Sequence, residues 1–142
     1  MNVAALLRRA AARWRDRPAV ASGARTLATF AELDDRAGRL ASALTGRLGL
    51  APGDRVAIAM TNAPAYLEIL FGAWYAGLSA VPMNAKLHPR EFAYILENSG
   101  ARTCFAGANL ASAIAGAAPG VEEIVETGSA AYHRLFDGEA IA

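Results

Sequence analysis

Between Gly53 and Ala106 the spacing of apolar residues switches between two periods, and the switch repeats. Arg55–Met60 is continuously apolar after its arginine, as a strand covered on both faces of a parallel sheet must be. Ala63–Ala76 is apolar nearly all round and reads as a buried helix, with Thr61 or Asn62 as its cap, Pro64 in its first turn and Gly77 at its end. Leu78–Val81 is the second predicted strand, stopped by Pro82. Asn84–Leu87 reads as a loop. His88-Pro89-Arg90-Glu91 then opens a helix that turns Phe92, Ile95 and Leu96 inward and closes at Asn98–Gly100. Arg102–Ala106 is the third strand. An alanine-rich helix over Asn109–Ala117 follows, then a strand near Val121–Val125 and a short helix around Ala130–Phe136. Crossovers between parallel strands of one sheet are right-handed. The pattern predicts an α/β protein, three-layered, with a mainly parallel sheet: a βαβαβαβ unit over residues 51–127 and a short terminal helix within 128–142.

Residues 1–50 read as a helix–hairpin–helix lead-in to that unit. The first helix should cover about Val3 to Arg15, with Leu6, Leu7, Ala10 and Trp14 on one face. Short strands at Ala19–Ala21 and Arg25–Leu27 flank a Ser22-Gly23 turn. Thr29-Phe30-Ala31-Glu32 is a capping box, in which hydroxyl and carboxylate each satisfy an orphan backbone N–H. The helix it opens carries Leu33, Ala37, Leu40, Ala41, Leu44 and Leu48 on one stripe. Glu32–Arg36 and Asp35–Arg39 are the expected i,i+4 pairs on the other side. Gly49 ends the helix, and Ala51-Pro52-Gly53-Asp54 is a turn.

Composition narrows the function classes. A chain of 142 residues, 54% apolar and 19% charged, is one globular domain. Its net charge of +1 argues against a nucleic-acid partner. The only basic concentration is Arg8, Arg9, Arg13, Arg15 and Arg17, which resembles in part a presequence or a membrane-surface helix. Asp16 interrupts it and Pro18 leads straight into folded-looking sequence, so the reading is a solvated helix face. No apolar run has the roughly 20 residues that span a bilayer. A lone mid-strand Cys104 reads as a buried structural thiol in a reducing, cytoplasmic setting.

Groups able to carry chemistry are few. His88 reads as a helix-start residue and His133 as exposed, neither with a second metal ligand at useful spacing. Glu68, inside an apolar helix, requires a partner, and Arg55 or Arg102 at a strand end is the expected one. Trp74 and Tyr75 read as core or interface aromatics. Ala106-Gly107-Ala108-Asn109 joins a strand to a helix, but one glycine there reads as an ordinary turn and not as a phosphate site.

Four segments together carry a family resemblance. They are Leu6-Leu7-Arg8-Arg9 with Arg17-Pro18-Ala19-Val20; Thr29–Leu33 with Leu40–Leu44; Gly53-Asp54-Arg55-Val56-Ala57-Ile58; and Gly77, Val81-Pro82-Met83-Asn84, Leu87, Glu91–Leu96 and Ser99-Gly100-Ala101. In order and spacing they resemble the N-terminal part of the adenylate-forming acyl-CoA synthetases, the AMP-binding enzymes. The resemblance implies ATP, Mg2+ and CoA for an intact enzyme: a carboxylate is activated as an acyl-adenylate and then passed to the CoA thiol. It also implies what this chain lacks. The Ser/Thr/Gly-rich phosphate loop ending in Pro-Lys-Gly, the ribose-binding aspartate and the adenylation lysine are all absent from the sequence. Tyr132–Phe136 resembles the short helix that precedes that loop. No catalytic residue, metal ligand or cofactor is therefore expected in the chain itself. By resemblance, Lys86 is the one candidate binding residue, as a contact to phosphate of the CoA nucleotide. The expected role is a scaffold segment, inactive alone, whose partner is the remainder of a synthetase or a second copy met through exposed apolar surface. The alternative is a stand-alone, non-enzymatic binding module built on the same scaffold.

Overall fold

The computed structural model describes residues 2–141, and it is an α/β structure. Helix α1 (Ala5–Arg13) leads into a hairpin of β1 (Pro18–Ser22) and β2 (Arg25–Thr29), then α2 (Phe30–Gly46). From there strands and helices alternate: β3 (Arg55–Ala59), α3 (Pro64–Tyr75), β4 (Ser79–Met83), α4 (Pro89–Ser99), β5 (Thr103–Ala106), α5 (Ala111–Ala117), β6 (Glu123–Glu126) and α6 (Ala130–Arg134). β1 and β2 pair antiparallel by themselves. The other four strands form one parallel sheet in the order β4-β3-β5-β6.

That order places the helices. The chain steps from β3 to β4 on one side, then crosses back over β3 to β5 and on to β6, so right-handed crossovers send α3 to one face and α4 and α5 to the other. Each face has its own core. Val56, Ile58, Phe105 and Val125 point toward α2, α3 and α6. Ala57, Ala59, Cys104 and Ala106 point toward Phe92 and Leu96 of α4 and Ile114 of α5. The alternation of strand side chains between faces thus divides bulky from small residues.

Local chemistry sets the element ends. Thr29 and Glu32 close the expected capping box: Glu32 N–H donates to Thr29 Oγ1 at 3.2 Å and Thr29 N–H to Glu32 Oε2 at 2.8 Å. α4 ends on Gly100 at φ +66°, a conformation that favours glycine. A Cβ there would also lie 2.8 Å from Arg55 Nη2. α2 and α3 pack closely at Gly72, where a Cβ would stand 2.9 Å from Leu40 Cδ2.

The structure departs from the sequence reading at several points. Of the apolar face drawn through α1, only Leu7 is buried; the helix seats Ala4, Leu7 and Ala11, and Leu6 and Trp14 face outward. α3 begins after Ala63 without a side-chain cap from Thr61 or Asn62. Pro82 does not stop its strand but lies inside β4, opposite Ile58. β4 is an edge strand, the position in a sheet that tolerates proline. The Glu32–Arg36 pair is not made, because Glu32 is held by the cap and Arg36 reaches α3 instead. Asp35–Arg39 forms as expected, at 2.7 Å.

Candidate functional site

β3 and β4 run parallel and end in register, Ala59 beside Met83, so the segments leaving them emerge side by side. The space outside the carboxyl ends of parallel strands is where α/β sheets bind ligands. Here it is an open cleft of about 450 Å³, lined among others by Thr61, Asn62, Tyr66, Asn84 and Lys86. The Asn84 side chain shapes the rim: its Oδ1 accepts from the Lys86 backbone N–H at 2.9 Å and folds the chain back on itself. Lys86 is exposed at this rim, and among the described residues no carboxylate lies within ion-pair distance of its ammonium. The cleft therefore offers one free cation beside neutral hydrogen-bonding groups. Among its lining residues no nucleophile stands beside a base, and Lys86 suits the cleft to holding an anion.

Glu68 lies elsewhere, between α2, α3 and α6, and its partners are neither Arg55 nor Arg102. Arg36 binds it through both Nε and Nη2, the latter at 3.0 Å, and Tyr132 Oη donates to Glu68 Oε2 at 2.6 Å. The Arg36 guanidinium also sits over the Phe136 ring, 4.0 Å from its centroid. The hydrogen bond to Glu68 raises the Arg36 pKa further. Burial, then the Glu68 charge, push the Tyr132 phenol well above its usual range. With its carboxylate saturated and closed in by rings, the triad is a clamp and not an acid or base for substrate. One signal for it was available in the sequence: a capping box that occupies Glu32 leaves Arg36 in need of another anion.

The expected partners are engaged elsewhere. Arg55 Nε donates to the Ser99 carbonyl at 2.7 Å at the end of α4. Arg102 binds Glu122 at 2.9 Å and approaches Asp54 at 3.6 Å. Tyr75 Oη donates to Asp34, with Arg8 over its ring at 4.6 Å, a second clamp that sequence reasoning missed.

The remaining candidates are structural. Cys104 is fully buried in β5, and burial pushes its thiol up to about 12, which keeps it protonated and unreactive. His88 caps α4, its Nδ1 accepting from Arg90 N–H at 3.2 Å while its own N–H donates to Glu91 at 2.7 Å. His133 is exposed and packs edge-on against Tyr132. At the Ala106–Asn109 junction, Gly107 N–H is already donated to the Ala59 carbonyl at 2.9 Å, so it is not free to meet an anion. Among the described residues no group of three His, Cys, Asp or Glu side chains could hold a metal, and no helix is long and apolar enough to cross a membrane.

A sequence profile described as "AMP-binding enzyme" matches residues 7–139. The chain belongs to the AMP-binding enzyme family. Its similarity to the fatty acid–[acyl-carrier-protein] ligase ScoC of Streptomyces coeruleorubidus is 44% identity over 88 residues, 62% of this chain and 17% of that protein. With the feruloyl-CoA synthase of an Amycolatopsis species it is 47% over 76 residues, 54% of this chain and 15% of that one. Among solved structures, the N-terminal domain of FACL13 from Mycobacterium tuberculosis superposes with a TM-score of 0.88 at 31% identity, over 99% of this chain and 37% of that one. The family member described here thus spans less than a fifth of the length of the two curated relatives, and its sheet with flanking helices is an N-terminal piece of the acyl-CoA ligase fold.

Proposed function

We propose that this chain forms the N-terminal scaffold of an acyl-CoA synthetase, an acid–thiol ligase of the cytoplasm. In the intact enzyme, ATP with Mg2+ would donate an adenylyl group to the carboxylate with release of pyrophosphate, and the CoA thiol would then displace AMP to give the thioester. The observation that carries this reading is the superposition of nearly the whole chain on the N-terminal domain of an acyl-CoA ligase. The chain's own contribution is the rigid wall of parallel strands and the cleft at their carboxyl ends. Lys86, exposed and unpaired among the described residues, serves there as a point-charge contact for a phosphate of the CoA nucleotide. The partner in this role is the remainder of the synthetase.

Two measurements test the proposal. ATP–pyrophosphate exchange by this chain alone is expected at background, because its sequence holds no phosphate loop; exchange above background overturns the scaffold role. For Lys86, titration with CoA and with 3′-dephospho-CoA, followed by amide chemical shifts, should move the Asn84–Leu87 signals more with CoA. Lys86→Ala should abolish the difference, and identical shifts with both ligands remove Lys86 from the site.

A further inference from the structure

We propose that residues 137–141 form a strap that closes on α2 and opens as one unit without unfolding the sheet, with Gly38 as its catch. Past α6 the chain forms no further helix or strand, yet it returns along α2. Three arginines receive it. Arg47 Nη1 donates to the Arg134 carbonyl at the strap's root, Arg39 Nη1 to the Gly138 carbonyl at 2.6 Å, and Arg8 Nη2 of α1 to the Ile141 carbonyl at 3.2 Å. The Ile141 N–H completes the set by donating to the Gly38 carbonyl at 3.1 Å. Each of these contacts is made to the main chain of residues 134–141. Asp137 and Glu139 bring two carboxylates close to this arginine row, and among the described residues neither is within ion-pair distance of a guanidinium. α2 therefore holds the strap by the path of its backbone and not by its side-chain charges.

The catch is steric. Gly38 is buried in the interior of α2, where glycine weakens a helix relative to alanine. The nearest atoms to a Cβ built there all belong to the strap: Ala140 Cβ at 2.9 Å, with Ala140 Cα and Ile141 N each at 3.6 Å. A side chain at position 38 would thus stand where Ala140 lies when the strap is closed. Opposing this fit are few anchors. The three arginine bonds are exposed, and Ile141 is the strap's one apolar side chain packed on the core, itself only half-buried. Leu135 and Phe136 fix the root, both buried. A segment held by exposed hydrogen bonds and little apolar area opens at less than the cost of global unfolding. Opening frees Arg39 and Arg47 and uncovers the Gly38 face of α2. By the family resemblance the phosphate loop follows Tyr132–Phe136, so in an intact synthetase the strap would fix where that loop sets out. That extension rests on the ligase reading; the strap itself does not.

Amide hydrogen exchange of the full chain tests the strap. Ile141 should be protected, yet exchange faster than Ile58 of β3, with a rate that denaturant barely changes. Gly38→Ala should lower the Ile141 protection at least about ten-fold and leave Ile58 unchanged. The heteronuclear NOEs of residues 138–141 should fall together in that variant. Ala140→Gly in the same background removes the clash from the strap side and should restore the protection. Arg39→Gln should lower it about three-fold, whereas Glu139→Gln leaves it as it was. If Gly38→Ala fails to fold, Ala140→Leu presses on the same contact without altering α2, and it should open the strap equally. The proposal is overturned if Ile141 exchanges only together with Ile58, if neither Gly38→Ala nor Ala140→Leu changes its protection, or if the double variant does not recover it.

Discussion

The two faces of the four-stranded sheet bury the same strands in opposite ways. Toward α2 and α3 the sheet presents bulk (Val56, Ile58, Phe105), and the helices interleave Leu40, Leu44 and Ile69 with small residues such as Ala41, Gly72 and Ala73. Toward α4 and α5 the sheet presents Ala57, Ala59, Cys104 and Ala106, and the helices supply the volume through Phe92, Leu96 and Ile114. Among the described residues, only the first face also contains an ionic clamp, Arg36–Glu68–Tyr132. Close packing can therefore be met from either partner of an interface, provided the volumes are complementary. The face with the charge needs an additional condition, that every polar group on it stay paired.

The largest test breaks the bulky side. Phe105→Ala should cost about 3–5 kcal/mol in chemical denaturation, because it empties the centre of that face. The reverse change on the other face, Ala57→Leu, should also destabilise, by about 1–3 kcal/mol, since Ala57 is fully buried in the cluster with Phe92, Leu96 and Ile114. If Ala57→Leu were stabilising, the account of two complementary faces would fail. Next in size is Arg36→Ala, expected at about 2 kcal/mol; the loss of a buried pair's partner is moderated here because the Arg36 side chain is 36% exposed. A loss within a few tenths would make the clamp a mere surface contact.

The smallest effect separates the faces by pH. The Cys104 thiol has an ordinary value of 9.0 and is pushed up to about 12 in the fold. Between those values the unfolded chain has lost the proton and the folded chain has kept it, so stability is full below 9.0 and falls as pH rises through the window. About 1 kcal/mol should be gone by about pH 10. In Cys104→Ala that loss should vanish up to the range where the tyrosines begin to ionise. Tyr132 and Tyr75, both raised above their ordinary 10.0, then add a loss of the same sign. Equal alkaline slopes below about pH 10 in the parent and the variant would show that the thiol is not the group responsible.

Much of this architecture was legible in the sequence because it is periodic or local. The α2 stripe from Leu33 to Leu44, the Thr29–Glu32 box and the strand–helix alternation are all written within a few residues of where they act. What periodicity cannot say is which stripe meets protein. On α1, residues 6, 10 and 14 share a face as sequence spacing requires, yet the buried face is centred on Leu7 and Ala11. The partner of Glu68 was hidden for another reason: Arg36 lies 32 residues away, and only the packing of α2 on α3 brings the two together. Pro82 was misread because a strand's place in the sheet, edge or centre, is not a property of the strand itself. Lys86 was singled out by family resemblance alone; the cleft beside it could not be inferred until β3 and β4 were known to end together.

The contact between Gly72 and Leu40 has a consequence for how α2 and α3 can move. Leu40 is one helical turn beyond Arg36, and Gly72 is one turn beyond Glu68, so the ionic contact and the steric contact repeat at the same interval along two helices running the same way. A slip of one turn, about 5.4 Å, would bring Glu68 beside either Leu40 or Glu32, an oily neighbour or one of its own sign. It would also carry the Leu40 side chain off the one position where α3 has no Cβ to obstruct it. The pair is thus indexed like a key in its ward: a single setting satisfies both contacts, and the adjacent notches are closed by charge and by shape.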